Sequence, residues 1–283
     1  MVDIRGSGRA DILGFGGAGV FLSKNDGNLS FTPPELVLAD FGYDQGWRLD
    51  HHLRLLGDTT GDGLPDIVAF GEKGVFVAGN NGDGTFKDPV LVVTDMAAGA
   101  GGWDVNKHPR TIADLTGDGK VDLVGFGDAG VWVALNNGNG TFEAPKLVLP
   151  HFGYTAGDWR VEKHPRFVAD ITGDGKGDIV GFGDSGVWVA LNNGDGTFQK
   201  EVLAIKEYGY VAGDWRVEKH LRLPVDMTGD GKADIVGVGD SSVLVSFNLG
   251  DGKFGPVTTL SSELASDLVW IPDKTVRIVT NVF

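Results

Sequence analysis

Oxygen donors at alternate positions of a short, glycine-containing loop are the chemistry of a hard divalent cation, and this sequence offers that pattern four times. Asp58, Thr60, Asp62 and Asp66 fill positions 1, 3, 5 and 9 of Asp-x-Thr-Gly-Asp-Gly-x-x-Asp. Asp114, Thr116, Asp118 and Asp122 repeat it, as do Asp170, Thr172, Asp174 and Asp178, and then Asp226, Thr228, Asp230 and Asp234. Ca2+ takes roughly six to eight oxygens, and the carboxylates, the hydroxyl and a backbone carbonyl at position 7 supply most of such a shell. Converging carboxylates repel one another unless a cation or N–H donors offset them. Two readings follow: a structural calcium loop in repeats 2 to 5, or an Asp-Gly turn whose carboxylates accept backbone N–H bonds. A degenerate copy from Asp3 to Asp11 carries Ser7 at its centre, so no ion is expected there.

A second repeated set suits a different ligand. Trp47, Trp103, Trp159 and Trp215 are spaced 56 residues apart, and Trp270 follows after 55. Arg48, Arg160 and Arg216 come directly after, Tyr43, Tyr154 and Tyr210 shortly before, and His52, His108, His164 and His220 five residues later. Gly-Asp turns at Asp128, Asp184 and Asp240 are expected at the same end of the repeat. An indole face ringed by fixed hydrogen-bonding groups matches a sugar, which has an apolar C–H face and a rim of hydroxyls. The same tryptophans could instead wedge neighbouring sheets apart. The aligned histidines are read as bonding backbone at the start of inner strands rather than as a metal ring. His51 and His151 lie outside this register, and Trp132 and Trp188 fall on third strands.

The elements that must position these groups are strands. In one repeat, a β-prone run from His108 leads into the Asp loop, Asp122–Phe126 follows, and Val131–Leu135 comes after a turn at Gly127–Gly130. Asn136–Gly140 has hairpin chemistry, and Thr141–Leu149 makes a fourth strand that Pro145 marks as an edge. Four antiparallel strands per repeat make the blade of a β-propeller. The expectation is an all-β single domain over 1–283: five four-stranded blades from repeats of 56 residues beginning near Asp3, Asp58, Asp114, Asp170 and Asp226. Lys274–Asn281 matches Lys219–Asp226 in register, so residues 274–283 are expected to complete the first blade and close the ring.

Composition removes several functions. With 24 Lys and Arg against 39 Asp and Glu, the net charge of −15 repels nucleic acid and anionic membrane surfaces. Cysteine is absent, so thiolate metal sites and disulfides are excluded. No apolar run approaches the ~18 residues of a membrane span, and no leader pattern is visible. The expected setting is soluble, either cytoplasmic or exported by a non-classical route. An enzyme is not expected, because catalysis needs one asymmetric constellation and here the polar groups recur in every repeat.

Three motifs occur together: Phe-Gly-Tyr-x-x-Gly-x-Trp-Arg-Val-Glu-Lys-His, then Asp-x-Thr-Gly-Asp-Gly-x-x-Asp-Ile-Val-Gly-Phe-Gly, then Val-Trp-Val-Ala-Leu-Asn-Asn-Gly-x-Gly-Thr-Phe. Their combination resembles the Psathyrella velutina lectin family of integrin-like fungal β-propellers with FG-GAP-type repeats. The resemblance implies recognition of terminal N-acetylglucosamine, with sialic acid as a second sugar, in pockets between blades, and Ca2+ in some Asp loops. The partners it implies are glycans or glycoproteins with terminal amino sugars. The first Asp loop, the segment Met96–Trp103 and the segment Leu264–Asp273 depart from the pattern. The competing reading is a protein-interaction propeller of the integrin-head kind, in which calcium loops only stiffen the blades.

Overall fold

Each repeat folds into one antiparallel sheet. In the computed structural model, which describes residues 2–28 and 30–262, β1 (Ile12–Phe15), β2 (Val20–Ser23) and β3 (Glu35–Leu38) form a three-stranded sheet. Four-stranded sheets follow in chain order: β4 (Leu53–Gly57), β5 (Asp66–Phe70), β6 (Val75–Ala78) and β7 (Val90–Val93); then β8 (Arg110–Ala113), β9 (Asp122–Phe126), β10 (Val131–Ala134) and β11 (Lys146–Leu149). The next is β12 (Arg166–Ala169), β13 (Asp178–Phe182), β14 (Val187–Ala190) and β15 (Val202–Ile205). In the last, β16 (Leu221–Val225), β17 (Asp234–Val238) and β18 (Val243–Ser246) are completed by β21 (Thr258–Ser261), with a small hairpin of β19 (Asn248–Gly250) and β20 (Lys253–Phe254) between. The described residues are thus all-β, in five repeated sheets. The closing strand expected over 274–283, and Trp270, lie outside the described residues.

The Asp loop fixes the register. Its last Asp opens the second strand and faces the end of the first: Asp66 opposes Gly57, Asp122 opposes Ala113, Asp178 opposes Ala169 and Asp234 opposes Val225. Every residue of the second strands is buried, which is why they read as continuous apolar runs rather than alternating ones. The fourth strand is shorter than expected. Thr141–Leu149 resolves into a bridge between Asn136 and Phe142 and a strand that starts only at Lys146, because Pro145 has no N–H to give to a ladder.

The chain divides into two compact units. The first runs to Asp114 and takes in 118–125 and 132–146; its cores gather Val20, Leu22 and Ile67 around Trp47, and Val68, Phe70 and Leu123 around Trp103. The second comprises 115–117, 126–131 and the chain from Leu147, and packs Val180, Phe182, Val187 and Ile235 around Tyr208 and Trp215. Each such side chain contributes about 1.5 to 3 kcal/mol when fully buried. Among the described residues no helix is long and apolar enough to cross a membrane.

Candidate functional site

The segment between β11 and β12 shows how the sequence builds a loop to order. Gly153 lies so close to the β9–β10 turn that a Cβ there would meet the Asp128 carbonyl at 2.5 Å, and Gly209 meets Asp184 in the same way at 2.4 Å. Close docking lets Tyr154 and Thr155 donate backbone N–H bonds to the carbonyls of Gly127 and Asp128. The Thr155 hydroxyl lies 3.4 Å from the Asp128 carboxylate, which accepts from it. Arg160 then ties the loop together. Its guanidinium stacks 3.8 Å from the Tyr154 ring centroid, donates to the Tyr154 and Trp159 carbonyls and pairs with Asp158. Arg48 on Tyr43 and Arg216 on Tyr210 repeat the stack at 3.6 and 4.0 Å. These arginines and tyrosines shape the loop, and the guanidinium groups are engaged in doing so.

The repeated histidines are wired identically at Nδ1. Nδ1 of His164 accepts the Arg160 backbone N–H at 3.2 Å, and His52, His108 and His220 accept from Arg48, Asp104 and Arg216 at 3.0, 3.2 and 3.0 Å. An imidazole that accepts at Nδ1 carries its proton on Nε2. His164 therefore donates to Asp184 at 3.1 Å, and His220 to Asp240 at 2.8 Å. The backbone-bonding role expected of these residues is what the geometry shows. In the second repeat the acid facing His52 is Glu72, at 3.7 Å, which the sequence reading did not single out.

Burial drives His164 below its ordinary pKa of 6.5, with Asp184 pulling the other way. A folded pKa below the unfolded one means that the unfolded chain binds more protons in acid, so this contribution is complete above about pH 6.5 and is lost as pH falls toward the folded value. Protonation would also put an N–H on Nδ1 against the Arg160 N–H. Denaturation midpoints are therefore expected to decline below pH 6.5, and His164→Gln to flatten that part of the profile. A slope unaltered by the substitution would contradict this wiring.

The repeated tryptophans are packed rather than displayed. Trp47, Trp103, Trp159 and Trp215 are 9, 6, 3 and 4% exposed. Trp159 sits 4.9 Å from Phe152 and 5.5 Å from His164, ring to ring, and a Cβ on Gly181 would meet its far edge at 2.6 Å. This is the wedge reading, with only an edge left to a ligand. The indole N–H of Trp103 is held by Asp95 and that of Trp215 by Glu207, both at 3.1 Å. Beside Trp159 the corresponding position is His151.

That exchange accompanies a cleft of about 420 Å³, measured with its open mouth. His151, Gly157 and Trp159 come from the loop, His164 from just before β12, Gly183, Asp184 and Ser185 from the turn between β13 and β14, and Trp188 from β14. Its floor is aromatic: His151 lies 5.7 Å from Trp188 and 5.9 Å from Trp159. Its rim carries Asp184, with a side chain 57% exposed and an orientation fixed by His164. Of the expected residues, Trp159, His164 and Asp184 meet here, whereas Tyr154 and Arg160 brace the loop. His151, Ser185 and Trp188 were missed. The signal for Trp188 in the sequence was a second tryptophan position recurring at 56 residues, with Trp132; the structure adds a register shift between Val187 and Trp188.

The Asp loops form a separate structure. Asp58 accepts N–H bonds from Thr60, Gly61 and Gly63 at 2.9, 2.7 and 2.7 Å. Burial alone would raise its pKa, but these bonds outweigh it and hold the carboxyl below its ordinary range. Asp66 is turned inward, accepting from Thr59 at 2.9 Å and from the backbone N–H of Asn80 at 2.7 Å, while the Asn80 amide reaches the Ile4 carbonyl of the preceding repeat at 2.8 Å. Asp122, Asp178 and Asp234 hold Asn136, Asn192 and Asn248, which reach back to Thr59, Leu115 and Ile171. At position 5, Asp118, Asp174 and Asp230 pair with Lys120, Lys176 and Lys232 at 2.7, 3.0 and 2.6 Å.

The donor types suit Ca2+, yet the carboxylates as placed do not fit it: position 1 caps the turn, position 9 staples repeats, and position 5 meets lysine in three loops. No three or more acidic or histidine side chains group as a metal site among the described residues. A chelator is accordingly expected to leave the melting temperature within about 1 °C. A rise of several degrees on adding Ca2+, as mass action on a folded-state site demands, would restore the calcium reading.

Comparison with known proteins agrees with this architecture. Residues 114–162 match a family of FG-GAP-like repeats. No curated protein matches the chain. Among solved structures, an Agrocybe aegerita lectin, described for its specific recognition of non-reducing terminal N-acetylglucosamine, is 55% identical with a TM-score of 0.96, over 99% of this chain and 70% of that one. The Photorhabdus luminescens Tc holotoxin pore shares the fold alone, at 18% identity and a TM-score of 0.60 over 93% of this chain and 12% of that one.

Proposed function

Since the chain belongs to the family of fungal lectins that includes the Agrocybe aegerita protein, in keeping with its Psathyrella velutina-type motifs, we propose that it is a multivalent lectin for non-reducing terminal N-acetylglucosamine. It binds and does not catalyse. The observation that carries this reading is the Asp184 carboxylate, exposed at the rim of an aromatic-floored cleft and aimed by the buried His164. An ionised carboxylate accepts hydroxyl hydrogens strongly, and one held by a second hydrogen bond need not be ordered when ligand arrives. The neighbouring rings take the C–H face of the sugar. The same loop and histidine recur in other repeats, with an acid facing the histidine at Glu72 and at Asp240. The frame of the cleft is therefore repeated, and those copies that bind act together on clustered glycans with an avidity gain of ~10² or more when spacing matches.

Ring closure is part of the proposal: one domain of five blades with 274–283 as the closing strand, supported by the match of Lys274–Asn281 to Lys219–Asp226. A small-angle scattering profile of an open arc would remove it. The lectin reading is tested by capture on N-acetylglucosamine-terminated glycoprotein. Free N-acetylglucosamine is expected to release the protein. Capture that free sugar leaves untouched would favour the protein-interaction reading instead.

A further inference from the structure

Taking the lectin reading of the cleft as its basis, we propose that Trp188 is the ring on which the sugar stacks, and that the residue type at this third-strand position sets how strongly each repeat binds. Two tryptophans border the cleft and differ in what they can offer. Trp159 is almost wholly buried, with Phe152 on its ring and its far edge against Gly181. Trp188 is half-buried on β14. The register shift between Val187 and Trp188 sits at this residue, and such bulges re-aim a side chain where a strand meets a site. His151 packs against it at 5.7 Å with a 44° tilt. Aromatic support and an open cleft on the same ring are what stacking requires, since a sugar's C–H face needs a flat partner held in place.

The remaining repeats vary at this position. Phe21, Phe76, Trp132 and Leu244 stand where Trp188 stands, and the same register shift occurs beside Phe21, Phe76 and Leu244. The bulge is therefore a property of the frame and the side chain is the variable. Leu244 offers no flat face. The Trp188 repeat differs also at His151, where Asp95 and Glu207 in two sister repeats clasp the indole N–H of their own tryptophans. The structure thus assigns unequal sites: tryptophan copies strongest, phenylalanine copies weaker, and the leucine copy without useful affinity.

Calorimetric titration of N-acetylglucosamine into the full chain and into Trp188→Leu and Trp188→Phe tests this. Leucine already occupies the position at 244, so the fold tolerates it, and a melting curve verifies that. Trp188→Leu is expected to take up one sugar fewer per chain than the wild type. Trp188→Phe should keep the stoichiometry, weaken that site about three- to tenfold, and reduce the sugar-induced change in tryptophan emission. A Trp188→Leu protein with wild-type stoichiometry and affinity overturns the assignment while leaving the lectin reading intact. A wild-type protein that takes up no N-acetylglucosamine overturns both.

Discussion

Trp159→Ala is expected to lower the folding free energy by about 3 to 5 kcal/mol, the cost of deleting a large aromatic from a packed core. The ring is 3% exposed, lies 4.9 Å from Phe152 and 5.5 Å from His164, and closes over Gly181. Alanine would leave a void that this surround cannot fill, because Gly181 and Gly183 have no side chains to move into it. The void also undermines His164, whose hydrogen bond aims Asp184, so stability and sugar binding at this cleft should fall together. Urea denaturation of the two proteins gives the difference. A loss under ~1 kcal/mol, with sugar binding gone, would mean that the indole faces ligand and is not a wedge.

Asp184→Ala should do the opposite: abolish binding at its cleft and hardly touch the fold. The carboxylate is 57% exposed and its partner His164 lies just before the first strand of the same sheet. The bonds from Val211 and Ala212 of the next loop go to the Asp184 backbone carbonyl, which alanine keeps. Hydrogen bonds to a charged group are worth about 1.5 to 3 kcal/mol, and a carboxylate that accepts two sugar hydroxyls would account for a loss of ~10² or more in affinity at that site. The melting temperature is expected to move by no more than about 2 °C. Retained affinity at every site would remove Asp184 from the binding surface. A large fall in melting temperature would make it structural.

The repeats, their strand order and the buried second strands were legible because period, turn glycines and apolar runs are local signals. The joint role of Asp66 and Asn80 was not: three Asp residues at alternating positions suggest convergence, and only the folded chain shows that Asp66 looks away from the loop to hold an asparagine that reaches Ile4. Equal spacing left both readings of Trp159 open, since a 56-residue period assigns equivalent positions without saying which face is covered. His164 and Asp184 were both legible as candidates, yet their partnership over 20 residues needed the turn between β13 and β14. His151 was passed over because it breaks the repeat, and Trp188 because a tryptophan on a third strand reads as a strand residue; which of its faces is open is known only once the frame is.

The central claim is that these clefts read a terminal amino sugar. Calorimetric titration of free N-acetylglucosamine into the wild-type chain tests it most directly, and the account predicts saturable heat with more than one sugar bound per chain, reduced by one in Asp184→Ala. Absence of heat with N-acetylglucosamine, or a stoichiometry and affinity that Asp184→Ala leaves unchanged, would contradict it.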